Sequence, residues 1–522
     1  MKNINLTLTA FLGFTLLVSA CTKKFEDYNK DLSGITEAEM SRIPTGGAEL
    51  SQLINWVIPN QENGYQMDYD LPGVLSGFVG SPNFTSDFAR YAPRQGWNDY
   101  PFDDTFGGHL YTQYNVLKRK SDGDMTKPYF ALGTLLRIAI VHRVADCYGP
   151  VPYSKVTGVD LRVPYDTEEE LYTAMLADLK TAVEALDETP VGDLSYKDYD
   201  PVYGGDMHKW ATYGRSLMLR MAIRISGVAP SMAKEYAEYA VQKGVIESND
   251  LTAALPSIDN PAVKMNDWND SRVGADIVEY MLAFGDPRTS AYFTAVRGDK
   301  PFGLHVPPVK PFKGGEHNKQ DEYSRVNVAK DSPIYLITAA EVSFLRAEGK
   351  LLGWSVGDKN AREYYEEGVR LSCEQWGVEV GDYLSGTETR GGFQDPIFPS
   401  ADVPSFSSDI TVSWDAAAGD KERELAQIIT QKWIALFPYN TIEAWSEWRR
   451  TGYPNLLTAT VNESKDCQDI VRRADGKDYG GMRRFAFSNK EKVNNLENVN
   501  AILPSLNGPD THATDLWWAL KK

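Results

Sequence analysis

The sequence predicts a mainly α protein in which successive helix pairs build a scaffold and long irregular segments are inserted between the helices. Apolar residues recur at the spacing of an α-helix in several segments. The clearest case is a single helical face formed by Trp210, Tyr213, Leu217, Met221 and Ile225. Three long segments lack this spacing and are rich in Gly, Pro, Asn, Asp and aromatic residues, as is common in functional or surface loops: 59–115, 255–330 and 380–420.

Start and stop signals bound several of the predicted helices. The segment 130–144 carries an apolar stripe and is followed by a Gly-Pro-Val-Pro cluster at 149–152, which breaks a helix. Thr167–Glu170 and Thr338–Glu341 have the spacing of capping boxes, in which a threonine and a glutamate bind the free backbone N–H groups of a first turn. The helical pattern continues in two further segments, 361–376 and 424–450.

The N-terminal residues have the pattern of an exported lipoprotein. Lys2 precedes an apolar run over residues 6–18, which is shorter than the roughly 20 residues that cross a bilayer and is typical of a secretory signal. The run leads into Val-Ser-Ala-Cys at 18–21, which resembles the lipobox of bacterial lipoproteins. We therefore predict a signal peptide over 1–20 and a lipid anchor on Cys21. The alternative is an ordinary signal peptide followed by a chance cysteine.

The chain after the signal peptide is expected to contain a tether and one folded domain. Residues 21–34 are mostly polar and charged, which suits a lipid-anchored tether. Residues 35–522 are predicted to form a single α-rich domain, because no clean domain boundary is visible.

The net charge of the chain indicates which class of partner is disfavoured. The chain has 72 acidic and 54 basic residues, a formal net charge of −18. This disfavours nucleic acid as a partner, because nucleic-acid binding depends on a basic surface. Aromatic residues make up 11% of the chain, which is enough to build a large core and still present aromatic side chains to a ligand.

Three cysteines follow the predicted lipidation site: Cys147, Cys373 and Cys467. Their odd number and the lack of a Cys-x-x-Cys spacing argue against a disulfide framework and against a zinc site. One disulfide remains open, and buried thiols are the favoured interpretation.

The sequence predicts no catalytic residue, cofactor or metal site. The motifs of zinc metalloproteases, P-loop enzymes, serine hydrolases and dinucleotide-binding proteins are missing. Glu443 and Glu447 could form a glycosidase-like pair, but such pairs arise by chance in an acidic chain. Asp267, Asn269 and Ser271 alternate like half of a calcium loop, yet its glycine and distal glutamate are absent, so a solvated turn is expected.

An ordered set of local patterns resembles one known family, the SusD/RagB nutrient-binding outer-membrane lipoproteins of Bacteroidota. The resemblance extends along nearly all of 22–522. The patterns that carry it are Arg137-Ile138-Ala139 with Asp146-Cys147-Tyr148-Gly149-Pro150, Leu219-Arg220-Met221-Ala222-Ile223-Arg224, Asp286-Pro287-Arg288, Thr338-Ala339-Ala340-Glu341, Gln431-Lys432-Trp433, Arg449-Arg450-Thr451-Gly452 and Leu516-Trp517-Trp518.

The resemblance implies a core of tetratricopeptide-like helix pairs and a non-catalytic protein that binds an oligosaccharide or peptide. It also implies a SusC-like TonB-dependent transporter as the partner at the outer membrane, with the protein facing the cell exterior. Ligand contacts would come from the irregular insertions. The stretch that matches the family's N-terminal binding loop supplies Arg90, Tyr91, Trp97 and Asn98, and a second stretch of similar chemistry supplies Trp268 and Asn269. For Trp97 and Asn98, buried anchoring of the loop is the alternative to ligand contact.

The family motifs themselves are expected to be structural. Arg220 and Arg224 lie one turn apart and should pair with carboxylates or carbonyls between packed helices. Glu341 is expected to cap a helix, and Arg449 and Arg450 to fasten the end of another. Two other functions remain open at this point, a lipid-anchored glycan hydrolase and a helical-repeat scaffold of the cell envelope.

Overall fold

Helices dominate the computed structural model, which describes residues 44–59, 71–81, 86–158, 160, 162–267, 271–306 and 321–520. The helices are α1 Gly47–Val57, α2 Pro72–Leu75, α3 Ser86–Ala89, α4 Gln95–Asp104, α5 Leu110–Ser121, α6 Pro128–Tyr148, α7 Glu168–Asp187, α8 Met207–Arg224, α9 Pro230–Lys243, α10 Lys264–Asp267, α11 Ala275–Phe284, α12 Thr289–Tyr292, α13 Ala339–Leu351, α14 Ala361–Gln375, α15 Lys421–Leu436, α16 Thr441–Thr451, α17 Asn489–Asn494 and α18 Leu496–Ile502. A π-helical turn, Thr105–His109, joins α4 to α5.

The described strands form three small antiparallel pairs. They are β1 Val79–Gly80 with β3 Arg272–Val273, β2 Ala253–Leu255 with β4 Ile334–Ile337, and β5 Val471–Arg472 with β6 Asp478–Tyr479. The pairs β1–β3 and β2–β4 join segments that are distant in sequence, whereas β5–β6 is a local hairpin.

Consecutive helices pack on one another, as the helix-pair scaffold requires. The run α6, α7, α8 and α9 is packed in chain order, and α13 packs on α14. Contacts of α13 with α8 and α15 connect the earlier run to the later helices. The predicted mainly α fold class and its helix-pair scaffold are therefore confirmed.

The predicted helical face of α8 is confirmed. Its five apolar residues are at most 1% exposed. Asp206 caps the helix by accepting hydrogen bonds from the backbone N–H groups of His208 and Lys209. Trp210 lies at the centre of this face and donates its indole N–H to the Asp200 carboxylate at 2.8 Å.

The apolar stripe predicted at 130–144 is part of a fully buried helix. Every residue of α6 from Tyr129 to Tyr148 is buried, including the charged ones. The predicted helix and its end before Gly149 are confirmed. Burial extends beyond the stripe because α6 is central: it contacts α1, α5, α7, α8 and α16, which cover its whole circumference.

One of the two predicted capping boxes is complete and the other is half formed. Thr167 and Glu170 bind each other's backbone N–H groups at the start of α7. Thr338 likewise caps α13 by accepting from the Glu341 N–H, but the Glu341 side chain does not complete the box. It is instead paired with Arg220 of α8, with an Nε–Oε1 distance of 2.6 Å, because a buried guanidinium binds a carboxylate more strongly than a backbone N–H does.

Three of the segments described in the sequence differ from their prediction. The pattern over 424–450 consists of α15 and α16, which are separated at Phe437–Asn440, where Pro438 lacks the N–H needed to continue a helix. The supposedly aperiodic segment 59–115 contains α4 and the start of α5, and 255–330 contains α11. Local composition concealed α4, since Gly96 and Pro101 both lower helix propensity.

A network of ion pairs lies inside the helix scaffold. Arg224 of α8 contacts Glu443 and Glu447 of α16, and its Nε lies 3.3 Å from Asp146 of α6. Lys432 of α15 lies 2.7 Å from Glu443 and 3.4 Å from Glu447. All five side chains are at most 4% exposed. The network joins α6 and α8 to the consecutive helices α15 and α16, and it confirms the expected pairing of Arg224 with carboxylates.

The two arginines near the end of α16 belong to its last turn rather than to the chain after it. Arg450 forms a bidentate pair with Glu348 of α13, at 2.6 and 2.7 Å. Arg449 donates to the backbone carbonyls of Arg483 and Asp146 at 2.9 and 2.7 Å. Both therefore fasten the end of the helix, as expected.

The three described cysteines, Cys147, Cys373 and Cys467, are free and buried. This agrees with the interpretation as buried thiols. Over the described residues, none of the helices is both long and apolar enough to cross a membrane.

The buried Glu168 at the start of α7 gives a pH-dependent prediction. Burial raises the pKa of its carboxyl to about 7 and outweighs the hydrogen bond that it accepts from the Trp517 N–H at 3.0 Å. The folded protein therefore holds a proton that the unfolded chain loses above about pH 4.5, so this group makes stability fall as pH rises from about 4.5 to 7. We expect Glu168→Gln to remove this fall, which is about 2–3 kcal/mol, in urea unfolding at pH 5 and pH 8.

The exposed neighbour Glu169 provides the matched control for this measurement. Glu169→Gln should leave the difference in unfolding free energy between pH 5 and pH 8 as it is in the wild type, because its carboxylate is solvated. Equal pH dependence of Glu168→Gln and the wild type would refute the assigned role of Glu168.

Candidate functional site

A crevice forms where the strand pair β1–β3 meets the segments 303–306 and 456–460. Close backbone approach makes its wall. A Cβ atom added to Gly80 would lie 2.4 Å from the Leu304 carbonyl oxygen, and one added to Gly274 would lie 2.3 Å from the Gly77 oxygen. Only glycine allows these contacts, so the two glycines determine how tightly the insertions pack against each other.

Tyr91 forms another part of the crevice wall and has an unusual backbone. Its φ of 59° lies in the left-handed region, which is rare for a bulky residue and costs about 1–3 kcal/mol. The side chain is 5% exposed, and its hydroxyl accepts a hydrogen bond from the Ala459 N–H at 3.1 Å. Burial raises the pKa of Tyr91 well above its ordinary value, so the hydroxyl stays neutral. Such strain is concentrated at functional sites in proteins, which makes this wall a candidate site.

Three successive residues fasten the far side of the crevice. Thr458 accepts from an imidazole nitrogen of His305 at 3.0 Å through its carbonyl, Ala459 binds Tyr91, and the Thr460 hydroxyl donates to the Val306 carbonyl. The other nitrogen of His305 lies 3.0 Å from the Ala401 carbonyl oxygen.

The crevice is mostly apolar and small. Its volume is about 70 Å³, well below the roughly 300–1,000 Å³ of pockets that enclose small molecules. Trp445 and Trp448 of α16 are among its lining residues. A ligand as large as a sugar ring would therefore lie across this surface and would not be enclosed by it.

Asp276 is the acidic residue among the described lining residues of the crevice. Its Oδ1 atom lies 2.6 Å from Arg390 and accepts from the Leu457 N–H at 3.0 Å. Glycoside hydrolysis usually needs two carboxyl groups on either side of the scissile bond, and the described lining supplies one that is already paired.

The acidic pair considered in the sequence, Glu443 and Glu447, lies in the buried ion-pair network and not in the crevice. Burial alone raises the pKa of Glu443, but Arg224, Lys432 and Arg220 outweigh it and hold the pKa at about 2. The same kind of pairing holds the pKa of Glu447 well below its ordinary value. Both carboxylates are therefore ionised and bound to protein cations in the core.

The predicted ligand-binding residues of the N-terminal stretch occupy different environments. Arg90 is 3% exposed, and its guanidinium lies 2.8 Å from Glu463, which ties it to the segment beyond the crevice. Asn98 on α4 is fully buried and donates to the Ala486 carbonyl at 2.9 Å. These buried positions do not fit direct contact of Arg90 and Asn98 with a ligand. Trp97, also on α4, is half-buried and packs partly on the core.

The other sequence predictions fall partly outside the described residues. Cys21, Trp268 and Asn269 lie outside them. In the half calcium loop considered in the sequence, Asp267 is the last residue of α10 and Ser271 is buried. No group of three His, Cys, Asp or Glu residues that could hold a metal ion occurs in the described parts of the chain.

His305 and residues 456–460 were not predicted from the sequence, because they join the crevice only through contacts with residues that are distant in the chain.

Comparison with known proteins gives a consistent set of likenesses. The family model described as Susd and RagB outer membrane lipoprotein matches residues 27–519. A SusD homolog from Bacteroides thetaiotaomicron is 35% identical, with a TM-score of 0.83 over 91% of this chain and 99% of that chain. A chitin-binding SusD homolog from Flavobacterium johnsoniae is 31% identical, with a TM-score of 0.82 over 91% of this chain and 99% of that chain. No curated protein matches the sequence.

Proposed function

Because the chain belongs to the SusD-like family of outer-membrane lipoproteins, we propose that it captures an oligosaccharide at the cell surface and passes it unaltered to a transporter. The observation that carries this proposal is the family match over residues 27–519, joined by a chitin-binding relative of the same fold. Neutral oligosaccharides are the proposed ligand class, and a peptide is the alternative ligand.

The geometry supports binding at an open surface. The apolar crevice is too small to enclose a sugar ring, whereas its strained and tightly fastened wall provides a rigid face. Rigid faces bind well because little conformational freedom is lost on association. In this proposal the protein does not transform its ligand. The pairing of the candidate carboxylates supports this, because protein cations bind all three of them: Asp276 in the crevice, and Glu443 and Glu447 in the core.

Trp97 is the proposed aromatic contact of the N-terminal stretch. It is half-exposed on α4, and its backbone lies within about 20 Å of Tyr91, since six residues of extended chain span no more than that. Arg90, Tyr91 and Asn98 would then position this segment through their bonds to the rest of the protein. Trp268 and Asn269 remain proposed contacts on the evidence of the sequence.

We expect Trp97→Ala to weaken binding of a neutral oligosaccharide by about 2 kcal/mol, or roughly 30-fold, because aromatic anchors dominate binding surfaces. The measurement is calorimetric titration with chito-, malto-, cello-, xylo- and manno-oligosaccharides of two to six sugars. Trp97→Phe keeps an aromatic ring at the same position and should retain most of the affinity. If Trp97→Ala binds as tightly as the wild type, the contact is misplaced.

The proposed attachment is a lipid on Cys21, and the proposed partner is a SusC-like TonB-dependent barrel. Support for the attachment comes from the lipobox-like residues 18–21 and from the family's description as outer-membrane lipoproteins. Purification from outer membranes of the native host in mild detergent should yield a complex of the two proteins that carries a fatty-acid label, and Cys21→Ser should lose the label. Recovery of the wild-type protein alone and unlabelled would contradict both proposals.

A further inference from the structure

We infer that the protein has a second sugar-binding site, an aromatic cleft lined by Tyr335, Trp376 and Tyr439 together with residues 327–329, 332 and 333 of the preceding turn. The inference rests on the proposed function and extends it to a surface that the family motifs do not include. The cleft has a volume of about 410 Å³, within the range of pockets that hold small ligands. We name it the Tyr335 cleft.

Strand β4 presents Tyr335 to the cleft. The residues on both sides of it in the strand, Ile334 and Leu336, are buried, whereas Tyr335 is half-buried. Its cross-strand partner on β2 is Ala254, whose small side chain covers little of the tyrosine ring. Between two buried residues, β4 thus carries a large aromatic side chain that reaches the surface. A small side chain could also have occupied this position.

Two further rings hold the Tyr335 ring in a fixed orientation. Tyr439 and Trp376 both lie edge-to-face with it, at interplanar angles of 77° and centroid distances of 5.6 and 6.4 Å. Tyr439 is itself held by Asn260, whose amide donates to the phenol oxygen at 3.1 Å. Trp376 packs edge-to-face on Tyr292 at 4.7 Å. The three rings therefore form a rigid corner before any ligand binds, which lowers the entropy cost of binding.

The polar groups of the cleft suit a neutral ligand with hydroxyl groups. None of the described lining residues is charged, and the lining contributes the amide of Asn327, the hydroxyls of Ser332 and Tyr335, and backbone groups. Within the described residues no hydrogen bond engages the Tyr335 hydroxyl, in contrast to the buried Tyr365, which donates to the Val412 carbonyl. An aromatic face packs against the C–H groups of a pyranose ring, while the amide and hydroxyls bind its oxygens.

The Tyr335 cleft continues into a neighbouring depression, and Asn327 lines both. The second depression has a volume of about 500 Å³, and its lining includes Thr289, Ser290 and Thr294 as well as the charged residues Asp286, Asp299 and Lys300. Asn327 is fixed between them, because its amide donates to the Ser290 carbonyl at 3.0 Å. Two adjoining depressions suit a chain of sugars better than a single compact molecule, so an oligosaccharide is the assigned occupant.

The test is calorimetric titration of the wild type, Tyr335→Ala and Tyr335→Phe with the neutral oligosaccharide set named above. We expect the wild type to show two binding events with the best ligand. Tyr335→Ala should weaken one of them at least tenfold and leave the other unchanged, and Tyr335→Phe should retain both, because the ring supplies the stacking face. Ala329→Glu places a bulky charge in the cleft from an exposed position and should weaken binding even if Tyr335→Ala folds poorly. Tyr236→Ala removes another half-buried tyrosine, which does not line the cleft, and serves as the control.

The possible outcomes separate this inference from the proposed function. In one outcome the wild type binds an oligosaccharide, and both Tyr335→Ala and Ala329→Glu bind it with unchanged affinity. The second site is then refuted and the proposed function stands. If the wild type binds no member of the set, the proposed function fails and the inference fails with it. Weakened binding by both variants, with Tyr236→Ala unchanged, supports the second site.

Discussion

Replacing Arg224 by methionine is expected to lower the free energy of unfolding by about 3–5 kcal/mol, because it leaves buried carboxylates without their shared cation. Arg224 is fully buried between Glu443, Glu447 and Asp146. Lys432 would remain beside the two glutamates but cannot replace the lost charge at Asp146. Methionine keeps much of the side-chain volume, so the measured loss reports the charge. Urea unfolding at pH 7 is the appropriate measurement.

The matched control is Arg362→Met. Arg362 also contacts two carboxylates, Glu366 and Asp415, at 2.8 and 2.7 Å, but all three are partly exposed. Because water solvates exposed charges, this substitution should cost less than about 1 kcal/mol. A loss for Arg224→Met no larger than for Arg362→Met would show that the buried network does not stabilise the scaffold.

Trp210→Ala is expected to cost about 3–5 kcal/mol of stability through the cavity that it leaves in the core. Trp210 is fully buried and packs edge-to-face on Tyr203 and Tyr213, at centroid distances of 5.1 and 5.3 Å. The Asp200 carboxylate loses the indole N–H but keeps hydrogen bonds from backbone N–H groups, including that of Gly205 at 2.8 Å. The lost packing therefore accounts for most of the effect.

Trp97→Ala provides the comparison for Trp210→Ala in the same urea unfolding experiment. Since Trp97 is half-buried, its removal should cost about 1 kcal/mol, within the range of substitutions that leave no buried cavity. Trp210→Phe should fall between the two, because phenylalanine fills part of the space. Equal losses for Trp97→Ala and Trp210→Ala would mean that Trp97 is a core residue and not a ligand contact.

The parts of the fold that could be predicted from sequence are those determined by neighbouring residues. The helical face of α8 follows from a regular apolar spacing, and the cap of α7 from a threonine and a glutamate three residues apart. The pairing of Arg220 and Arg224 with carboxylates could also be inferred, because two arginines one turn apart on a buried face need partners. Their particular partners could not be inferred, since Glu341 and Glu443 lie more than a hundred residues away.

The parts that could not be predicted depend on contacts between distant segments. Helix α4 contains Gly96 and Pro101, yet it is held by the Tyr148 hydroxyl, which contacts the backbone of Asn98 and Phe102. That same packing buries Asn98, which the family resemblance placed among the candidate ligand contacts and for which buried anchoring was the alternative. The Tyr335 cleft was missed for a similar reason: its rings come from β4, the end of α14 and the loop between α15 and α16.

The central claim is that the protein binds a neutral oligosaccharide and does not change it. The most direct measurement joins calorimetric titration of the wild-type protein, across the set of neutral oligosaccharides, with chromatographic analysis of each sugar after prolonged incubation. We expect at least one oligosaccharide to bind and to be recovered at its original length. Shorter sugars formed in excess of the protein, or binding of none of the set, would refute the proposed function.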